Sequence, residues 1–165
     1  MEKIEKKLRV GYTTGVFDMF HIGHLNLLRQ AKENCDYLIV GVSTDELVQS
    51  YKNKTPIIPY EQRKEIVNAI KYVDKVVPQI DREKFKAWEK YHFDVMFVGD
   101  DWKNSPLFKL VEQQLKQVNA EVMYFEYTKG ISSTILREKI EGEKVNDKRS
   151  YTNQKSNKES EGFDR

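Results

Sequence analysis

The sequence predicts an α/β fold, a Rossmann-like, doubly wound, parallel five-stranded sheet with helices on both faces. Three observations predict it. Short apolar runs of buried-strand type alternate with stretches of helical spacing along most of the chain. Breaks rich in charge, glycine or proline separate them. The chain of 165 residues also has the length of a single hydrophobic core.

Taken in order, Met1 to Lys7 is a charged lead-in and Leu8 to Thr13 reads as the first strand. His21 to Asn34 carries Leu25, Leu28 and Ala31 at helical spacing. Tyr37-Leu38-Ile39-Val40 marks a second strand within Asp36 to Val42, and Ser43-Thr44-Asp45-Glu46 signals a helix cap. Lys52-Asn53-Lys54-Thr55-Pro56 then breaks the pattern, which puts both lysines on a loop. Tyr60 to Ile70 resumes helical spacing at Ile66, Val67 and Ile70. Val73 to Val77 is the third strand, Arg82 to Tyr91 a helix with Phe85 and Trp88 on its inner face, and Asp94 to Val98 the fourth strand. Leu107 to Val118 reads as helix, Glu121 to Phe125 as the fifth strand and Ser132 to Ile140 as the last helix. Ligands of such sheets bind at the carboxyl ends of the strands, so the loops that follow strands are the candidate site.

The 28 basic and 26 acidic side chains leave a net charge of +2, too balanced for nucleic-acid binding. A lone Cys35 allows no intrachain disulfide, no leader-like segment precedes Leu8, and no apolar run approaches the roughly 20 residues that span a bilayer. A cytoplasmic protein without membrane insertion is expected. Glu141 to Arg165 is nearly devoid of aliphatic residues and is expected to be a disordered polar tail, leaving residues 1–140 as the single domain.

Gly15-Val16-Phe17-Asp18-Met19-Phe20-His21-Ile22-Gly23-His24 lies between the first strand and the first helix. His21 and His24, three apart, share a face of the first helical turn, where free backbone N–H groups attract phosphate. Two imidazoles there can donate to a polyphosphate as charge moves onto leaving pyrophosphate. By themselves they fit a capping or surface role equally well. Ser132, Ser133 and Thr134 place three hydroxyls at the last helix start, able to cap the backbone or to donate to phosphate oxygens.

The first of these segments resembles the HxGH signature of the cytidylyltransferase-like nucleotidyltransferases, with Gly15-Val16-Phe17-Asp18 matching the G-x-F-D that precedes it. Gly130-Ile131-Ser132-Ser133-Thr134-Ile135-Leu136-Arg137 resembles the second signature, and the similarity runs from about Leu8 to Ile140. Among the branches of that family, the length and Gly99-Asp100-Asp101-Trp102 most resemble the bacterial glycerol-3-phosphate cytidylyltransferases, which supply CDP-glycerol for surface polymers.

The resemblance implies transfer of CMP from CTP to a small phosphorylated alcohol, with Mg²⁺ carried by the triphosphate and no dedicated protein metal site, in a homodimer. It implies catalytic roles for His21, His24, Lys54 and Asp18. Nucleotide binding falls to Gly15, Val16, Phe17, His21, Gly23, His24, Lys54, Lys71, Tyr127, Thr128, Gly130, Ile131, Ser132, Ser133, Thr134 and Arg137. Acceptor binding falls to Asp18, Lys52, Arg63, Lys84, Asp101 and Trp102. Lys71 and Tyr127 stand where relatives often carry arginine. Phosphocholine or phosphoethanolamine as acceptor, an adenylyltransferase using ATP, and a non-catalytic nucleotide-binding module are the alternatives.

Overall fold

The computed structural model describes residues 7–142. Strands β1 (Val10–Gly15), β2 (Tyr37–Ser43), β3 (Lys75–Gln79), β4 (Val95–Gly99) and β5 (Glu121–Phe125) form one parallel sheet in the order β3-β2-β1-β4-β5. Helices α1 (Ile22–Glu33), α2 (Asp45–Lys52), α3 (Tyr60–Asn68), α4 (Lys84–Tyr91) and α5 (Pro106–Lys116) connect them. The strand order reverses beside β1, since β2 and β3 extend to one side while β4 and β5 lie on the other. Sheets of this kind open a crevice at that switch point, at the carboxyl ends of the strands.

Alternation along the strands divides the apolar side chains between two cores. Leu38, Val40 and Val42 of β2 and Val95 and Phe97 of β4 pack with Leu28 and Ala31 of α1 and Val67 of α3. Ile39, Met96 and Tyr12 point the other way, to Phe108, Val111 and Leu115 of α5 and to Phe85 and Trp88 of α4. Helices therefore cover both faces, as the sequence predicts. Leu28 is fully buried, so its truncation to alanine costs about 2–5 kcal/mol.

One local device recurs at the amino ends of the strands. Asp36, Asp74 and Asp94 each stand immediately ahead of a strand. The carboxylate of Asp36 accepts from the Arg9 amide at 2.8 Å, that of Asp74 from Leu38 at 2.7 Å and that of Asp94 from Val10 at 2.8 Å. The amide of each aspartate in turn donates to the carbonyl of that same residue, at 2.8, 3.0 and 2.8 Å respectively. Three reciprocal clips thus fix where each pairing begins. They account for the observed bounds of β1 to β4, which start one or two residues later than the apolar runs do, leaving Leu8 exposed. Ile66, one of the residues that mark the helical spacing of α3, points outward at 43% exposure.

The chain divides between Lys129 and Gly130 into two compact units. In the second, a helix over 133–142 is capped by Ser132, whose hydroxyl accepts from the Ile135 amide at 3.1 Å. The expected tail falls outside the described residues from 143 onward, and Glu141 and Gly142 are helical. Among the described residues no helix is long and apolar enough to cross a membrane.

Candidate active site

The connection from β1 to α1 is held under backbone strain. Phe17 and Met19 adopt φ of 54° and 51°, the left-handed region that non-glycine residues seldom occupy. Phe17 is buried in the α1 core, with its ring so near Gly15 that a Cβ there would meet it at 3.0 Å. Such a conformation persists only where neighbours overdetermine it. Asp18 and Arg63 supply that constraint.

Asp18 is 3% exposed, and its two carboxylate oxygens accept from the amides of Ile57 and Ile58, both at 2.8 Å. Arg63 of α3 is 1% exposed. Its Nε donates to the Ile58 carbonyl at 2.8 Å, its Nη1 to the carbonyls of Val16 and Ser43 at 2.7 Å, and its Nη2 to Asp45 at 2.6 Å. In this structure the bonds of Asp18 and Arg63 run to backbone groups and to the Asp45 carboxylate, and they buckle the loop ahead of α1 to the segment that follows the lysines.

The two histidines form a reciprocal cap on α1. His21 accepts at Nδ1 from the Gly23 amide at 3.0 Å, and His24 accepts at Nδ1 from the His21 amide at 3.3 Å. Each ring therefore presents an unprotonated Nδ1 to the backbone and carries its proton on Nε2. The rings stack with centroids 3.8 Å apart. Burial, and then the neighbouring His21, push the imidazole of His24 down to about 4 against an opposing pull from Asp18; burial also lowers that of His21. Both are neutral donors at pH 7. The Nε2 of His21 is buried without a hydrogen-bond partner, and no acidic side chain occupies the first turn of α1. A buried N–H donor beside the positive end of a helix fits an anionic oxygen.

The depressed value has a measurable sign. His24 in the unfolded chain takes up its proton near pH 6.5 and in the folded chain only near pH 4. Folding stability therefore declines as pH falls from about 6.5 to 4 and levels off below that. Titration of the ring nitrogens by NMR is expected to place His24 well under pH 5, and a midpoint above 6 would refute the assignment.

Beyond the loop, a cleft of about 740 Å³ opens at the switch point. Its floor is Thr14 and Gly15 from the end of β1 with Val16 just beyond, Ser43 and Gln79 from β2 and β3, and Val98 and Gly99 from β4. Thr13 ties β1 to β4 through a 3.0 Å bond to the Phe97 carbonyl. Lys84, Lys52 and Arg82 bring positive charge to its wall, and Phe85, Trp102, Leu107 and Tyr127 line the remainder. Lys84 is half-buried where Lys52 and Arg82 are exposed, 3.4 Å from the Thr14 hydroxyl, and desolvation, followed by the neighbouring Arg82, lowers its ammonium to about 8. A depression of about 410 Å³ at the amino ends of the strands is lined by Arg9, Asp94 and Glu121, whose charges pair with one another or with Lys7.

Of the other expected site residues, Lys52 stands at the rim and Lys54 is exposed beyond the left-handed Asn53 that ends α2. Asp101 is exposed in the single turn after β4 and takes a hydrogen bond from Tyr127, whose phenol is pushed up to about 12 by burial and by that carboxylate. The Tyr127 ring lies against Gly99, where a Cβ would approach within 2.3 Å. Thr128 accepts from Asn26 of α1 at 2.9 Å. Lys71 is not brought to the cleft. It is exposed beside Tyr72 on the connection that enters β3 at its amino end, because α3 returns the chain to that end of the sheet. In the second unit Gly130 has φ of 81°, Ile131, Ser133 and Arg137 are half-buried and Thr134 is exposed. Sequence reasoning missed Ser43, Gln79 and Arg82 of the cleft and Asp45 beside Arg63. Ser43 and Gln79 end strands, which was the available signal.

Comparison with known proteins identifies the family. The family model described as cytidylyltransferase-like matches residues 12–139. Glycerol-3-phosphate cytidylyltransferases of Staphylococcus aureus and Bacillus subtilis are each 39% identical to this chain over 137 residues, covering 79% of it and 93% and 95% of their own lengths. An FAD synthase of Thermococcus kodakarensis is 42% identical over 133 residues, 77% of this chain and 85% of its own. Among solved structures, the lipopolysaccharide core biosynthesis protein of Thermoplasma volcanium matches with a TM-score of 0.63 at 23% identity, over 76% of this chain and 100% of that one, a likeness of fold.

Proposed function

Because the chain belongs to the cytidylyltransferase-like family, we propose that it transfers CMP from CTP to glycerol 3-phosphate, giving CDP-glycerol and pyrophosphate. The observation that carries this reading is the pair of stacked neutral imidazoles at the head of α1, one with a buried, unpartnered Nε2. A phosphate oxygen of glycerol 3-phosphate attacks the α-phosphorus of CTP, and the bond from that phosphorus to the oxygen bridging the β-phosphate breaks. Its electron pair leaves with pyrophosphate. The imidazole N–H groups stabilise charge that exists only as this bond breaks, so no protein nucleophile takes part.

Mg²⁺ enters as part of the triphosphate substrate. Both Asp18 oxygens are engaged by backbone amides. Lys54 and Lys52 neutralise the two anions as they approach, and Gly15, Val16 and Gly23 leave backbone room for the nucleotide. Tyr127, Thr128 and the segment Gly130 to Arg137 are assigned to the nucleotide on the family resemblance, and Asp101 and Trp102 to the acceptor. A homodimer in the cytoplasm is the accompanying assignment, which sedimentation of the purified chain tests.

Lys84 is assigned the acceptor phosphate, because a half-buried ammonium whose neighbour is a hydroxyl gains from an anion. Lys84→Met is expected to raise KM for glycerol 3-phosphate roughly 10–100-fold while leaving that for CTP within about threefold. Equal effects on both would remove Lys84 from the acceptor subsite.

The reaction itself is tested by incubating the chain with Mg²⁺, each nucleoside triphosphate, and glycerol 3-phosphate, phosphocholine, phosphoethanolamine or FMN. Phosphorus NMR is expected to show CDP-glycerol and pyrophosphate from the first acceptor with CTP, and loss of both products with EDTA. FAD from ATP and FMN would support the alternative raised by the FAD synthases. Nucleotide binding without any product would mean a binding module.

A further inference from the structure

We propose that Asn26 and Arg29 of α1 are positioning residues that set the polarity of the Thr128 hydroxyl, committing its proton to the bound nucleotide. The inference rests on the assignment of Thr128 to CTP, and its ground is a directed chain of hydrogen bonds. The Nη2 of Arg29 donates to Oδ1 of Asn26 at 2.5 Å, and Nδ2 of Asn26 donates to Oγ1 of Thr128 at 2.9 Å. A guanidinium is a donor only, so it selects the amide orientation in which the oxygen faces Arg29 and the nitrogen faces Thr128. Thr128 is thereby made the acceptor in that bond. Its own proton stays available for an anionic oxygen.

The arrangement is long-range in sequence and short in space. Asn26 lies two residues after His24 on α1, and Thr128 two residues after Tyr127's predecessor Glu126, on the chain that leaves β5. All three polar groups are half-buried, where misdirected hydrogen bonds cost most. Tyr127, which stands where relatives often carry arginine, uses its hydroxyl on Asp101. The adjacent hydroxyl of Thr128 is thus the neighbouring donor whose direction is fixed from α1.

Asn26→Asp inverts this polarity with little change of shape. The carboxylate still pairs with Arg29 but accepts only, so it draws the Thr128 proton toward α1. The expected result is a rise of roughly 10-fold in KM for CTP, with KM for glycerol 3-phosphate unchanged and the melting temperature kept. Thr128→Val should weaken CTP similarly, and Asn26→Asp added to Thr128→Val should weaken it no further. An added penalty in that background would mean that the new charge acts through space and would overturn the relay. Asn26→Ala, which leaves the hydroxyl free to rotate, is the second variant and should cost about two- to threefold. Normal CTP kinetics in both Asn26 variants, with the wild type active, overturns the relay alone; a wild type that forms no CDP-glycerol overturns the proposed function and the relay with it.

Discussion

Replacing His24 with alanine is expected to lower kcat for CDP-glycerol formation by about 10²–10³-fold and to change KM for CTP by less than about threefold. The asymmetry follows from the neutral state of the ring. An uncharged Nε2–H adds modestly to ground-state phosphate binding, whereas its bond strengthens as charge develops on the departing oxygen. His21→Ala is expected to act in the same direction. The double variant should fall short of the product of the two effects, because the rings stack and each caps the backbone beside the other. Loss of the cap costs about 1 kcal/mol of stability, so turnover is compared well below the melting transition. Near-normal kcat in both single variants would remove the imidazoles from the chemistry.

The second large effect concerns stability. Arg63→Met is expected to destabilise the fold by about 3–5 kcal/mol and to lower the melting temperature by roughly 10 °C. The substitution leaves the carbonyls of Val16, Ser43 and Ile58 without their guanidinium donor and the Asp45 carboxylate without its ion pair. Arg63→Lys should recover a minority of the loss, because one ammonium cannot serve carbonyls spread around a planar fork. Activity measured on the remaining folded protein should drop as well, since Val16 and Ile58 hold the strained turn ahead of α1. A melting temperature within about 3 °C of wild type would show that the buckle is dispensable.

The sheet was legible in the sequence because buried parallel strands leave continuous apolar runs, and the helices because Leu28, Ala31, Phe85 and Trp88 repeat at helical spacing. The His21 and His24 pair was legible too, as a three-residue interval at a strand-to-helix junction. Partners were harder to read. Asp18 and Arg63 look like reactive charges in a linear sequence, and only the fold shows them meeting backbone groups as far as 47 residues away. Lys71 is placed by topology, since a lysine on the connection from α3 to β3 lies at the amino end of the strand. Asn26 gave no signal at all, because an asparagine on an amphipathic helix reads as surface until its contact across 102 residues is seen.

The reciprocal aspartate clips have a bearing on how such a protein can change. They anchor three of the strand pairings from beneath, at the edge farthest from the crevice. Loops at the opposite lip can then lengthen, shorten or exchange side chains without disturbing how the strands align. A new preference for one small molecule over another can accordingly be acquired at the lip while the foundation of the sheet stays as it is.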